Sequence, residues 1–125
     1  MEQVTGIGGV FLKARDSARM SAWYRDHLGI NSDDGAAEFA WREHEPPNTP
    51  ARTVWSLFPA DSDYFGPTGQ PFMINYRVAN LARMIDQLRG AGVTIEKVEE
   101  CDYGNFAWIT DPEGNRIELW EPKTE

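Results

Sequence analysis

The chain has 125 residues, 41% of them hydrophobic and 26% charged, enough for one ordinary core and too apolar for a disordered segment. Its net charge of −8, without a basic patch, argues against nucleic acid, whose phosphates would be repelled. No apolar run approaches the ~20 residues of a membrane span, and the first residues lack the basic and apolar character of a secretory leader.

A single cysteine, Cys101, excludes an internal disulfide, so a reduced, cytoplasmic setting is expected. Residues 7–14 read as a strand. Residues 17–28 then carry Met20, Trp23, Tyr24, His27 and Leu28 at helical spacing. Asp16 is suited to cap that helix and Gly29 to stop it. Strands are expected over 38–42 and 52–58. The loop 43–51 between them, with Pro46-Pro47, is irregular and placed to overhang a pocket. Residues 60–71, rich in Asp, Gly and Pro, read as a linker. A strand over 72–78 leads to a helix over 81–89, capped by Asn80, with Leu81, Met84, Ile85 and Leu88 as its apolar stripe. Strands follow over 94–99, 106–110 and 116–121, the last two joined by the reversal Asp111-Pro112-Glu113-Gly114-Asn115.

The order strand, helix, strands is thus written twice. Segments 9–16 and 73–80 correspond, 64 positions apart, which indicates a duplicated module and not a solenoid. Trp23-Tyr24-Arg25-Asp26-His27-Leu28-Gly29 resembles the F/W-Y-x-x-x-L-G signature of the vicinal oxygen chelate superfamily. Asp111-Pro112-Glu113-Gly114-Asn115-Arg116-Ile117-Glu118-Leu119 resembles its D-P-[DE]-G-N-x-x-E-L signature. That superfamily includes glyoxalases, bleomycin and fosfomycin resistance proteins and extradiol dioxygenases. The resemblance implies an α+β fold, two tandem βαβββ modules forming an open cup-shaped sheet. One domain over 1–125 would comprise module one at about 6–59, a linker at about 60–71 and module two at about 72–122.

In metal-using members of the superfamily, four side chains project into the cup. Carried over, these positions fall on Gly9 and Met73 in the first strands of the modules, and near Ser56 and on Glu118 in the last. For Ser56, a register shift of one would substitute Trp55. Only Glu118 keeps a ligand identity, and one carboxylate does not make a transition-metal centre. No metal or other cofactor is therefore expected. A His44–Glu118 pair is the remaining metal alternative, against a surface role for His44. His27 reads as packing or surface.

Strand alternation turns Gly9, Phe11 and Lys13, then Met73, Asn75 and Arg77, then Trp108, Glu118 and Trp120 toward the cup. Phe39 and Trp41 join them if their parity holds. Phe11, Trp41, Ser56, Met73, Asn75, Trp108 and Trp120 are the expected ligand contacts, for a small molecule of aromatic or cationic character. The alternative is that the aromatics only fill a core. Glu118 has three readings: ligand contact, an ion pair with Lys13, Arg77 or Arg116, or a general base with a raised pKa. Cys101, flanked by acids, is expected to be inert. The resemblance implies a homodimer that binds a small molecule without a catalytic metal. The competing expectation is a lyase or isomerase related to lactoylglutathione lyase. A third is an assembly module with a filled cup.

Overall fold

The computed structural model describes residues 1–67 and 69–123, so residue 68 of the expected linker lies outside the described residues. The described residues form β1 (Val4–Ala14), α1 (Ser17–Leu28), β2 (Ala37–Arg42), β3 (Pro50–Pro59), β4 (Phe72–Val78), α2 (Leu81–Gly90), β5 (Lys97–Cys101), β6 (Gly104–Thr110) and β7 (Arg116–Pro122). Both helices start where an acceptor satisfies orphan amides: the Arg19 amide donates to Asp16, and the Arg83 amide to Asn80, each at 3.0 Å. Gly29, at φ 70°, ends α1 in the left-handed conformation that glycine adopts without penalty.

The seven strands form one open sheet in the order β2-β3-β1-β4-β7-β6-β5. β1 and β4 pair antiparallel at its centre, and each runs parallel to the last strand of its own half, β3 or β7. A pseudo-twofold therefore relates the halves, swapping the pairs Gly9–Asn75 and Phe11–Met73. It also fixes the disputed register. Val10 faces Trp55 as Ile74 faces Ile117, which makes Ser56, not Trp55, the counterpart of Glu118. One strand differs between the halves: the second has β5 outside β6, whereas after α1 the first has only β2 and β3.

Alternation divides the side chains of the second half as expected. Behind the second half, Leu81, Met84 and Ile85 of α2 pack on Val78, Ala107, Ile109 and Leu119, with Leu88 against them. α1 differs: none of its residues is buried, and Trp23 and Leu28 are half exposed or more. Its firm ring contact with the sheet is Tyr24 against Trp55, at 4.7 Å. β5 begins three residues later than expected, because Val93 and Ile95 pack against the α2 core before the ladder with β6 opens at Lys97–Trp108.

The second cluster lies on the cup face and joins Phe11, Met73 and Trp108 to Phe65, with Val54, Phe58 and Phe106 around it. Phe65 is 0% exposed, although it belongs to the stretch read as a linker. The reason is geometric: an open sheet leaves its concave face apolar, and the chain between the halves passes close enough to cover it. Phe65→Ala is expected to destabilise the fold by about 3–5 kcal/mol in urea denaturation. A true linker residue would shift the midpoint by a few tenths of a kcal/mol.

Candidate functional site

Glu118 on β7 is 1% exposed, and its position follows from register. It stands directly opposite Asn75 on β4 and Trp108 on β6, on the same face of the sheet. Asn75 Nδ2 donates to Oε1 at 2.6 Å, and Trp108 Nε1 donates to Oε2 at 3.0 Å. The third donor arrives from the linker: the Tyr64 hydroxyl reaches Oε2 at 2.5 Å. Tyr64 is held by stacking on Phe58 at 5.2 Å and by an edge contact with Trp108.

Burial pushes the Glu118 carboxyl above its ordinary value, while the bonds from Tyr64, Asn75 and Trp108 pull it part of the way back. Burial and the neighbouring Glu118 charge push the Tyr64 phenol far above its usual value, so it stays a donor. The ion pair that was one reading of Glu118 is not formed among the described residues. Each candidate cation lies over an aromatic ring instead: Lys13 over Phe65 at 5.1 Å, Arg116 over Trp108 at 5.8 Å, and Arg77 over Trp41 and Trp120, both at 5.6 Å. Arg116 also pairs with Glu96 at 3.7 Å.

Above Glu118 opens a cleft of ≈ 250 Å³. Phe11, Asn75, Glu118 and Trp120, all expected from the sequence, line it. Phe106 and Tyr103 extend the Trp120 wall, and Phe106 stacks on Trp120 at 6.1 Å. Glu38, Arg52 and Val54 form the opposite wall, and Tyr64 a third side. A β-bulge at Gly8 brings its backbone to the floor, where a Cβ would collide with Asn75 Oδ1 and the Trp120 indole.

The other expected contacts lie elsewhere. Met73, 0% exposed, and Trp108 sit beneath the lining as its support. Ser56 is on the cup face, but its hydroxyl is tied to the Gly35 carbonyl at 3.1 Å and it is outside the cleft lining. β2 presents Glu38 to the cleft, so Phe39, one residue on, is half exposed and outside the lining. Trp41 is also outside it, donating to Thr53 at 2.9 Å and packing on Gly6 and Arg77. No residue of the loop 43–51 lines the cleft.

Tyr64, Phe65 and Arg52 were not anticipated. An aromatic pair inside a stretch otherwise made of Asp, Gly and Pro was the available signal. Phe106 shares the parity of Trp108, which was signal enough.

The inherited metal positions do not fit a metal. Phe11 and Asn75 occupy the space beside Gly9, Met73 offers a buried thioether, Ser56 is engaged, and three donors already occupy the Glu118 oxygens. His44 is exposed in its loop, and His27 packs on Trp23 at 5.0 Å. Among the described residues no group of three or more His, Cys, Asp or Glu side chains is placed to share an ion.

These contacts set a pH dependence. The folded carboxyl holds its proton to higher pH than the unfolded one, so the contribution of Glu118 is intact below 4.5 and is lost as pH rises through the raised folded value. Glu118→Gln removes that titration, and its amide oxygen still accepts from Tyr64 and Trp108. The stability of Glu118→Gln relative to the natural chain should therefore grow as pH rises from about 4 to 7, measured by thermal unfolding. Glu118→Ala orphans three donors and should cost about 3 kcal/mol near pH 4, and less toward pH 7, because it removes the same titration.

Residues 6–119 match the Glyoxalase/Bleomycin resistance protein/Dioxygenase superfamily. Methylmalonyl-CoA epimerase from Mycobacterium tuberculosis is 25% identical, with a TM-score of 0.58 over 97% of this chain and 90% of that one. The Streptomyces coelicolor methylmalonyl-CoA epimerase (E43L) in complex with 2-nitronate-propionyl-CoA is 16% identical, with a TM-score of 0.68 over 98% and 97%. A catechol 2,3-dioxygenase is 22% identical, with a TM-score of 0.57 over 99% of this chain and 41% of that one. Comparison with curated proteins found no match. With one signature on α1, the other on the turn into β7, and the match spanning nearly its whole length, the chain belongs to the glyoxalase/bleomycin resistance protein/dioxygenase superfamily.

Proposed function

We propose that the cleft binds one small, planar organic molecule without a catalytic metal, as a glyoxalase/bleomycin-resistance-like binding protein. One observation carries this reading. The family's metal carboxylate, Glu118, is saturated by Tyr64, Asn75 and Trp108, while the cleft directly above it stays open. Phe11, Phe106 and Trp120 would hold the face of the molecule, and Asn75 its polar edge, with Met73 and Trp108 supporting them from below. The two modules each supply one wall of a single domain.

Tag-free protein incubated with zinc, nickel, manganese or iron should retain well under one metal per chain by elemental analysis. Small aromatic metabolites should raise its melting temperature, because binding only the folded state stabilises it by RT ln(1 + [L]/Kd). Stoichiometric metal, or no shift with any aromatic compound, defeats the reading.

A second reading makes Glu118 the general base of a lyase or isomerase. The raised carboxyl pKa, the Tyr64–Glu118 bond at 2.5 Å and the likeness to an epimerase support it. Under it, Glu118→Gln abolishes turnover and leaves ligand affinity within a few fold. We also propose a cytoplasmic homodimer. Lone Cys101 suits a reducing compartment, and among the described residues no helix is long and apolar enough to cross a membrane. Exposed Trp23 and Leu28 on α1 offer an apolar contact. Sedimentation should give twice the chain mass, and Trp23→Glu half of that dimer mass.

A further inference from the structure

Arg77 adjoins Trp120, a wall of the cleft, and stands just outside the residues that line it. Its guanidinium stands over both the Trp41 and Trp120 rings, and the residue is only 8% exposed. Burial lowers its pKa, yet an arginine stays cationic throughout the ordinary pH range. Nothing among the described residues accepts its side-chain hydrogens. Among the described residues it forms no ion pair, and its Nε is buried with no acceptor. Glu43 acts on it favourably and Arg52 unfavourably, both without contact. Glu38, the other acid of this wall, is paired with Arg52 at 3.6 Å.

An arginine Nε buried without an acceptor is costly, because ring faces replace only part of the hydration it loses. The fork geometry of arginine is matched by carboxylate or phosphate oxygens.

A second unpartnered group sits nearby. Asn75 is 2% exposed and lines the cleft. Its Nδ2 is committed to Glu118, which leaves Oδ1 buried without a donor. Asn75 and Arg77 lie two positions apart on β4, both facing the cup, which is roughly 7 Å along a strand. The bare backbone of Gly8 packs closely against both of them. A Cβ there would meet Asn75 Oδ1, Trp120 Cε3 at 2.8 Å and Arg77 Cγ at 3.1 Å.

We infer that the cleft selects a small planar anion, a carboxylate on a flat ring, whose anionic end seats on Arg77 and whose opposite end donates a hydrogen bond to Asn75 Oδ1. The Trp120 and Phe106 rings receive the plane of the molecule. The inference rests on the proposed binding role of the cup and names the ligand class for it. It selects against the cationic ligand that was one expectation from the sequence.

Isothermal titration of the full chain with 4-hydroxybenzoate, its neutral amide and 4-hydroxybenzylamine tests it. The carboxylate should bind at least about tenfold tighter than the amide, and the amine most weakly. Arg77→Met, which keeps the stem but loses the charge, should bring the carboxylate to the affinity of the amide while leaving the amide within about twofold. Equal binding of all three probes, a preference for the amine, or an unchanged preference in Arg77→Met overturns the inference and leaves the cup-binding reading standing. If none of the three binds into the millimolar range, the inference falls, and the cup-binding reading falls with it only if no other aromatic compound raises the melting temperature. The comparison among probes on the natural chain needs no variant to fold.

Discussion

A carboxylate buried under a sheet must be given donors, and Glu118 organises this molecule through that requirement. Two donors come from register alone, since Asn75 and Trp108 are its direct neighbours on the flanking strands. The third cannot come from the sheet and is brought by Tyr64 from the chain joining the halves. Holding Tyr64 over Glu118 also places Phe65 in the floor of the cup, where it meets Phe11, Met73 and Trp108. The same contact that satisfies Glu118 thus closes part of the cup and sets the size of what remains.

Duplication explains the geometry of the two halves, and divergence explains their unequal energetics. The pseudo-twofold puts Ser56 where the second half has Glu118, and Gly9 where it has Met73. Neither residue in the first half can hold an ion or fill much space. On the reverse face, α2 buries three large apolar residues while α1 buries none. Most of the stabilising burial therefore lies in the second half. The first half contributes a wall, with Arg52 and Val54 on β3 and Glu38 on the edge strand β2.

Local signals in the sequence were reliable where local physics decides. Asp16 and Asn80 are caps because a short side-chain acceptor must precede each helix, and both were legible. Asp111 was legible as a turn. Its carboxylate accepts from the amides of Glu113 and Asn115 and from the Asn115 side chain, each at 2.9 Å. Those bonds hold its pKa below the usual range. Inward parity was also right for Phe11, Asn75, Glu118 and Trp120, because period two needs only the strand and one known face.

What could not be read was tertiary. Tyr64 and Phe65 sit among residues that favour turns, and only the concavity of the sheet draws them inward. The helical spacing of Trp23 and Leu28 predicts a stripe but not whether the sheet beneath α1 is wide enough to cover it. The partners of Lys13, Arg77 and Arg116 depended on which rings would stand nearby.

Those three cations share a logic that the net charge conceals. A carboxylate already holding three neutral donors has little to offer a further cation, and the cup is crowded with π faces. Each cation settles on a ring. Lys13 is only partly buried and keeps access to water, and Arg116 retains Glu96. Arg77 alone of the three is buried and without an ion-pair partner among the described residues. One strand therefore carries an uncommitted cation at one position and an uncommitted carbonyl oxygen, Asn75 Oδ1, two positions away. A fold selected only to be stable would have filled or neutralised both, since each polar atom left without a partner costs free energy. Both stand beside the Trp120 wall of the cleft, where an anionic ligand of the proposed kind would satisfy them.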